Sequence, residues 1–197
     1  MKKNIAVFLD RDGTINEEVG YLDSLDKLKI IPTACEAIKL INLSGMKAVV
    51  ISNQAGVAKG FFTEEFVHTV NNRLLALLKK KGAFIDQVYY CPHHPEEGNG
   101  AYLQKCNCRK PAPGMLLQAA RELNIDLSRS YLVGDRFLDM EAAKNAGAKG
   151  ILVKTGYEDL LQDDGLDRAT PAGKPDFIAP DILEAVLWIL KDQKNIK

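Results

Sequence analysis

Ala6-Val7-Phe8-Leu9-Asp10-Arg11-Asp12-Gly13-Thr14 is the stretch from which the rest of the chain is read. Ile5 to Leu9 is an apolar run with the length and composition of a strand buried on both faces. It stops at Asp10 and Asp12, which bracket a single residue, and continues into a glycine and a threonine. A tight turn at the strand's carboxyl end aims both carboxylates at one point. Two like charges that close are relieved by a shared proton or a bound cation. A hard cation such as Mg²⁺ prefers carboxylate and carbonyl oxygens, and one carboxylate of the pair is then placed to attack. A polar turn after a core strand gives the same local pattern, so the remainder of the chain must decide between them.

The bulk properties narrow the choice. At 197 residues the chain is long enough for one domain, residues 1–197, with a substantial core. Lys+Arg and Asp+Glu both number 26, giving zero formal charge. That argues against a broad footprint for nucleic acid or an anionic membrane, while leaving room for a local basic pocket. No apolar run approaches the roughly 20 residues of a membrane span. Met1-Lys2-Lys3-Asn4 leads straight into the first strand without a signal-like apolar region. The expectation is a soluble, cytoplasmic monomer. Of the four cysteines, Cys35 lies among Ala34, Ala37 and Ile38 and reads as helix core. Cys91, Cys106 and Cys108 cluster with His93 in a loop-rich region.

Along the chain, helical and strand patterns alternate. Glu17 to Ile31 reads as loop, and Thr33 to Leu43 as a helix closed by Ser44-Gly45. Ala48 to Ile51 is a second buried strand running into Ser52-Asn53-Gln54-Ala55-Gly56. Thr63 is placed to cap a helix carrying Phe66, Val70, Leu74, Leu77 and Leu78, which stops at Gly82. Gln87 to Tyr90, Tyr131 to Val133 and Gly150 to Val153 complete five strands, with helices at Met115 to Leu123 and Leu138 to Ala146. Asp163 to Lys174 reads as a polar surface loop before a final helix with Ile182, Leu183, Val186, Leu187 and Leu190 on one face. This alternation predicts an α/β fold with a doubly wound, mainly parallel, Rossmann-like sheet covered on both faces. Ligands bind such sheets beyond the carboxyl ends of the strands, where Asp10, Ser52 and Asp135 all fall.

Four pieces then stand in order: Asp10-Arg11-Asp12-Gly13-Thr14, Ile51-Ser52-Asn53, Arg109-Lys110-Pro111, and Gly134-Asp135 with Asp139. Together, over residues 5 to 155, they resemble the four motifs of the haloacid dehalogenase-like hydrolases. Phosphoryl transfer needs an in-line nucleophile, a proton donor for the leaving oxygen and fixed positive charge around the equatorial oxygens. The resemblance implies that Asp10 is the nucleophile, forming an aspartyl-phosphate. It implies that Asp12 is the general acid and then the base, and that Ser52 and Lys110 hold phosphoryl oxygens. Asp135 is implied to join Asp10 and the backbone carbonyl of Asp12 on Mg²⁺, with Asp139 orienting the metal shell or Lys110. The second aspartate speaks against a haloacid dehalogenase proper, whose chemistry needs no such acid. Singly, each residue has a plainer reading: Ser52 as a turn cap, Lys110 as a solvated charge, Asp139 as an N-cap.

Cys91-Pro92-His93 is followed, after twelve residues, by Cys106-Asn107-Cys108. C-x-H and C-x-C supply the four ligands of a closed tetrahedral zinc site, which reads as structural because it is complete without water. His94 is the neighbouring alternative to His93, and reduced thiols in a mobile loop are the plainer reading. Such a site would pin the loop at about 91–108 and position Arg109 and Lys110, which follow directly. Arg109 suits a bidentate grip on a second phosphate or on a substrate hydroxyl.

A zinc loop without an inserted cap domain resembles the histidinol-phosphate and heptose-bisphosphate phosphatase group. Gly20-Tyr21, Cys91-Pro92-His93-His94-Pro95, the long interval before Cys106, and Arg109 to Met115 lean towards the heptose branch. Arg136 stands where that branch often has lysine and also occurs in the histidinol-phosphate branch. The resemblance implies removal of the 7-phosphate of a heptose 1,7-bisphosphate in ADP-heptose synthesis for lipopolysaccharide. Asn53, Arg109, Lys110 and Arg136 are the implied contacts to this small sugar phosphate. Histidinol phosphate is the alternative substrate. A zinc-stapled binding module without catalysis is the rival of another class, and a polynucleotide 3′-phosphatase a remote one, lacking any aromatic-basic stripe.

Overall fold

The computed structural model describes residues 3–156 and 173–195. A six-stranded sheet in the order β3-β2-β1-β4-β5-β6 forms its centre, and every neighbouring pair is parallel. The strands are β1 (Ala6–Leu9), β2 (Lys47–Asn53), β3 (Gln87–Cys91), β4 (Tyr131–Gly134), β5 (Lys149–Val153) and β6 (Phe177–Ala179). The helices are α1 (Ala34–Leu43), α2 (Glu64–Lys80), α3 (Gly114–Glu122), α4 (Phe137–Ala146) and α5 (Ile182–Asn195).

The continuous apolar strands follow from burial on both faces. Val7 and Leu9 of β1 join Val50, Val133 and Ile151 in a cluster closed by α1, α2 and α5. The alternate residues, Ala6 and Phe8, join Val49, Ile51 and Leu132 in a second cluster under α3 and α4. The side chains of β1 are therefore divided between two cores, which leaves no polar position in the strand until it ends at Asp10. Thr63 caps α2 as its sequence predicts, its Oγ1 accepting from the Phe66 amide at 3.2 Å.

The strand order places the topological switch between β1 and β4, since the connections run outward from β1 on one side and from β4 on the other. The Asp10 amide donates to the Val133 carbonyl at 2.9 Å, which ties the two strands at their carboxyl ends. Two differences from the sequence reading stand out. A sixth strand, Phe177–Ala179, pairs with β5, and three residues are too few to show a period. Ser52 lies within β2 rather than beyond it, because pairing with β3 carries the strand on to Asn53. Most of the polar stretch read as a surface loop, residues 163–172, lies outside the described residues. No helix among the described residues is long and apolar enough to cross a membrane.

Candidate active site

An open crevice of about 230 Å³ lies at the carboxyl edge of the sheet, lined among others by Asp10, Asp12, Ser52, Lys110 and Asp135. The chain brings these groups together from strand β2 and from the segments that follow β1, β3 and β4. Asp10 follows β1 and Asp135 follows β4, so both carboxylates sit at the switch point. Lys110 comes from the long segment after β3 and is pinned to β2 by a reciprocal pair. Its amide donates to Asn53 Oδ1, and Asn53 Nδ2 donates to its carbonyl, each at 3.0 Å. Asn53 lines the crevice, and its amide has this positioning task, which the sequence reading did not assign.

Lys110 is buried with its Nζ 2.9 Å from Asp10 Oδ1 and 2.5 Å from Asp139 Oδ1, and it donates to the Ile51 carbonyl at 3.3 Å. Burial alone would pull its pKa down, but the two carboxylates outweigh burial and hold the ammonium charged. Asp139 holds Lys110 and also serves its helix, though as the third helical residue and not as the N-cap. Oδ1 holds Lys110, while Oδ2 accepts the Arg136 amide at 3.2 Å and caps α4 from its third residue, with Arg136 itself as N-cap.

The carboxylates face a charge problem that one lysine does not solve. Oxygens of Asp10, Asp135 and Asp139 lie within 4.8 Å of one another. Burial pushes Asp10 up to about 7; Lys110 opposes this, and Asp139 and Asp12 add to the rise. Burial likewise pushes Asp135 up to about 8, with Asp10 and Asp139 contributing. Asp135 Oδ2 is fully buried without a hydrogen-bond partner. Two backbones crowd it: a Cβ on Gly156 would lie 1.9 Å from this oxygen, and one on Gly13 would lie 2.3 Å from it. A buried, unpartnered carboxylate oxygen beside two further carboxylates fits a hard divalent cation.

Asp12 is treated differently. Arg11, nearly fully buried, donates to it from Nη2 at 2.8 Å and from Nε at 3.2 Å. Asn16 Nδ2 donates to Asp12 Oδ1 at 2.9 Å and Gln54 Nε2 to Oδ2 at 3.0 Å. Burial would raise the Asp12 carboxyl, but these partners outweigh it and hold the group below its usual range. Arg11 is fixed in turn by Asn71 Oδ1 at 3.1 Å and Gln54 Oε1 at 3.0 Å. Gln54 Nε2 also donates to Ser52 Oγ at 2.8 Å, linking Ser52 to the same network. Sequence reasoning missed Arg11, Gln54, Asn16 and Asn71 here. Arg11 and Gln54 stand inside the quoted motifs, but nothing local signals that a guanidinium turns inward.

Cys91, His93, Cys106 and Cys108 converge as the sequence predicts. Their sulfurs lie 3.1 to 3.5 Å apart, and His93 Nδ1 is 3.4 Å from Cys108 Sγ and 3.6 Å from Cys91 Sγ. Sulfurs on a tetrahedral zinc at about 2.3 Å would lie about 3.8 Å apart, so the cluster is of zinc size. His94 points elsewhere, its Nδ1 accepting the Glu97 amide at 2.8 Å, so of the adjacent pair it is His93 that stands with the three cysteines. Arg109 Nη1 donates to the His93 carbonyl at 3.2 Å, which ties the ligand knot to the crevice lining. Arg136 and the unforeseen Glu18 and Lys59 also line the crevice.

A parallel sheet with carboxylates from β1 and β4 and a lysine between them at the switch point defines a haloacid dehalogenase-like hydrolase. The HAD-hydrolase-like family model matches residues 107–185. The chain is 43% identical to the D-glycero-D-manno-heptose-1,7-bisphosphate 7-phosphatase of Thermosynechococcus vestitus, over 93% of this chain and 94% of that protein. It is 45% identical to the D-glycero-beta-D-manno-heptose-1,7-bisphosphate 7-phosphatase of Pasteurella multocida, over 86% of this chain and 90% of that protein. The crystal structure of D,D-heptose 1,7-bisphosphate phosphatase from B. bronchiseptica, complexed with magnesium and phosphate, superposes with a TM-score of 0.80 at 29% identity. That match covers 95% of this chain and 99% of the other. The chain belongs to the haloacid dehalogenase-like hydrolases, in the same family as these phosphatases.

Proposed function

We propose that this enzyme is a magnesium-dependent phosphatase that removes the 7-phosphate of D-glycero-D-manno-heptose 1,7-bisphosphate, on the way to ADP-heptose for lipopolysaccharide. The observation that carries the reading is the pairing of Lys110 with Asp10 at the switch point, beside the buried, unpartnered Oδ2 of Asp135. The relatives' substrate and the neighbour's magnesium and phosphate support it.

In this mechanism a carboxylate oxygen of Asp10 attacks phosphorus in line, and the bond to the C7 oxygen breaks. Lys110 and Ser52 hold equatorial oxygens while charge develops on them. Asp12 gives a proton to the departing C7 oxygen. It then takes a proton from the water that opens the aspartyl-phosphate, which releases inorganic phosphate and restores Asp10. In the empty crevice Arg11 and Gln54 hold Asp12 ionised. A phosphate dianion arriving beside it pushes its carboxyl back up, so that it enters the reaction as an acid. Asp10, Asp135 and the backbone carbonyl of Asp12 would hold Mg²⁺, which supplies positive charge to the transferring group. Cys91, His93, Cys106 and Cys108 would hold a structural Zn²⁺, and Asn53, Arg109, Lys110 and Arg136 flank the substrate. The whole chain is read as one phosphatase domain, a cytoplasmic monomer with no part for nucleic acid or membrane, in keeping with its zero net charge.

One observation favours a second substrate. Glu18 lines the crevice and would meet the ammonium of histidinol phosphate. Phosphate release from heptose 1,7-bisphosphate and from histidinol phosphate, measured side by side with Mg²⁺, decides between them. A strong preference for the heptose is expected. The reverse preference moves the substrate and keeps the mechanism, whereas folded protein inert towards every phosphomonoester leaves only a binding module.

A further inference from the structure

A heptose bisphosphate presents two phosphates, and Lys110 and Ser52 serve the one that reacts, while Arg109 and Arg136 flank the rest of the substrate. Lys110 is taken up by Asp10 and Asp139, so the cation at the reacting end has no capacity for a distant anion. Lys59 also lines the crevice, and its situation is different. Its Nζ is 2.8 Å from Glu97 Oε2 and stands over the Tyr21 ring, 5.8 Å from its centre. The lysine side chain is 20% exposed, whereas its partner Glu97 is 61% exposed.

The backbone holds Lys59 in this place from more than one side. Its own amide donates to the Ala55 carbonyl at 3.0 Å, and the preceding carbonyl, of Ala58, accepts the Asn99 amide at 3.1 Å. Gly98, at φ +139°, lies so close that a Cβ there would be 2.5 Å from the Ala58 oxygen. The zinc loop, the loop after β2 and the Gly20-Tyr21 loop thus meet around this ammonium.

An ion pair with an exposed carboxylate contributes little, because solvent screens it and two long side chains must be held in one geometry. A phosphate monoester brings about −1.5 to −2 charge at pH 7 and three acceptor oxygens. It therefore outcompetes a single exposed glutamate for a partly desolvated ammonium.

We propose that Lys59 is a specificity-determining residue that binds the non-reacting phosphate of a bisphosphate substrate, with Glu97 keeping its place in the empty crevice. This assignment rests on the bisphosphate reading given above. Lys59 exchanges Glu97 for substrate and takes no part in the chemistry at Asp10. Its loss therefore weakens binding of the bisphosphate and leaves turnover of bound substrate intact.

The test is steady-state kinetics of Lys59→Met, Lys59→Arg and Glu97→Gln on heptose 1,7-bisphosphate and on p-nitrophenyl phosphate, which lacks a second anion. Lys59→Met is expected to raise KM for the bisphosphate about tenfold with little change in kcat. KM for p-nitrophenyl phosphate is expected to move less than about twofold, since no distal anion is lost. Lys59→Arg is expected to recover most of the loss, and Glu97→Gln to leave KM for the bisphosphate level or lower. An equal rise for both substrates overturns the assignment. So does a Glu97→Gln protein that matches Lys59→Met, because Lys59 would then act only as a strap between loops. Wild-type protein that hydrolyses p-nitrophenyl phosphate but leaves heptose bisphosphate intact sinks the substrate reading instead. The Lys59 assignment is then decided on fructose 1,6-bisphosphate, where the same KM ratio supports it and its absence overturns it.

Discussion

The catalytic crevice and the zinc loop lie side by side, yet they are held by different physics. Asp10 and Asp135 are fixed by the strands they follow, whose side chains are fully buried in the two cores. In residues 92–105, by contrast, every residue is at least partly exposed. The segment is shaped by the thiol-imidazole knot and by a few hydrogen bonds. The His94 amide donates to the Tyr102 carbonyl and the Gln104 amide to the His94 carbonyl, each at 3.0 Å, and the Tyr102 hydroxyl donates to Glu64 Oε1 at 2.8 Å. The crevice therefore takes its scaffold from the two cores, and the loop takes its own from a four-donor cluster of zinc size. Burial organises the first region, and a cluster of metal-type donors the second.

The largest effect expected from this contrast is chemical and not structural. Asp10→Asn should lower kcat on the order of 10⁴-fold or more, as removal of a covalent nucleophile does. Because it removes one of several mutually repelling carboxylates, the melting temperature should hold or rise. A large fall in melting temperature would show that the crevice charges support the core after all.

Next in size is removal of the loop's cation. Stripping zinc with a chelator, or Cys106→Ser, should open residues 92–107 to proteolysis and raise KM for substrate by about 10- to 100-fold. The far-UV circular dichroism of the sheet should persist. Loss of the sheet signal along with the loop would erase the distinction between the two regions.

A smaller effect should follow from Gly156→Ala, which sets a methyl against Asp135 Oδ2. The concentration of Mg²⁺ for half-maximal activity should rise by roughly tenfold, the usual size of a disturbance next to a metal ligand. An unchanged magnesium requirement would remove Asp135 from the metal site.

The smallest effect concerns pH. Burial raises Asp10 and Asp135 from 3.8 to about 7 and about 8, so the folded protein holds these protons more tightly than the unfolded chain. Their contribution to stability is full below pH 4 and declines as pH rises through about 7 and 8. Metal-free protein should thus lose a few degrees of melting temperature from these groups between pH 5 and 8. Added Mg²⁺ should recover more at pH 8 than at pH 5. Equal recovery at both would mean that the cation does not compensate these carboxylates.

Much of this was legible before any coordinates. The strand-then-carboxylate pattern at Asp10 is a local signal, since a strand buried on both faces has no polar residue until it ends. The cysteine spacing was likewise readable, because coordination demands a fixed set of donors near in space. What was not legible is the orientation of side chains between elements. Arg11 lies between two carboxylates, and its sequence does not say whether it faces solvent or the core. It is Asn71 on α2 and Gln54 after β2, both accepting from the guanidinium, that turn it inward.

By itself, then, the sequence determined the α/β alternation, the ends of the strands that bear Asp10 and Asp135, and the three cysteines with a neighbouring histidine as zinc-type donors. Those properties rest on periodicity and on residue chemistry, which are local. Tertiary structure alone decided that Lys110 is shared between Asp10 and Asp139, that Asp135 keeps a buried unpartnered oxygen, and that His93 rather than His94 joins the cysteines. It also brought Lys59 to the crevice. Each of these depends on distances between residues far apart in the chain, which are set by the packing of the elements and not by the order of the residues.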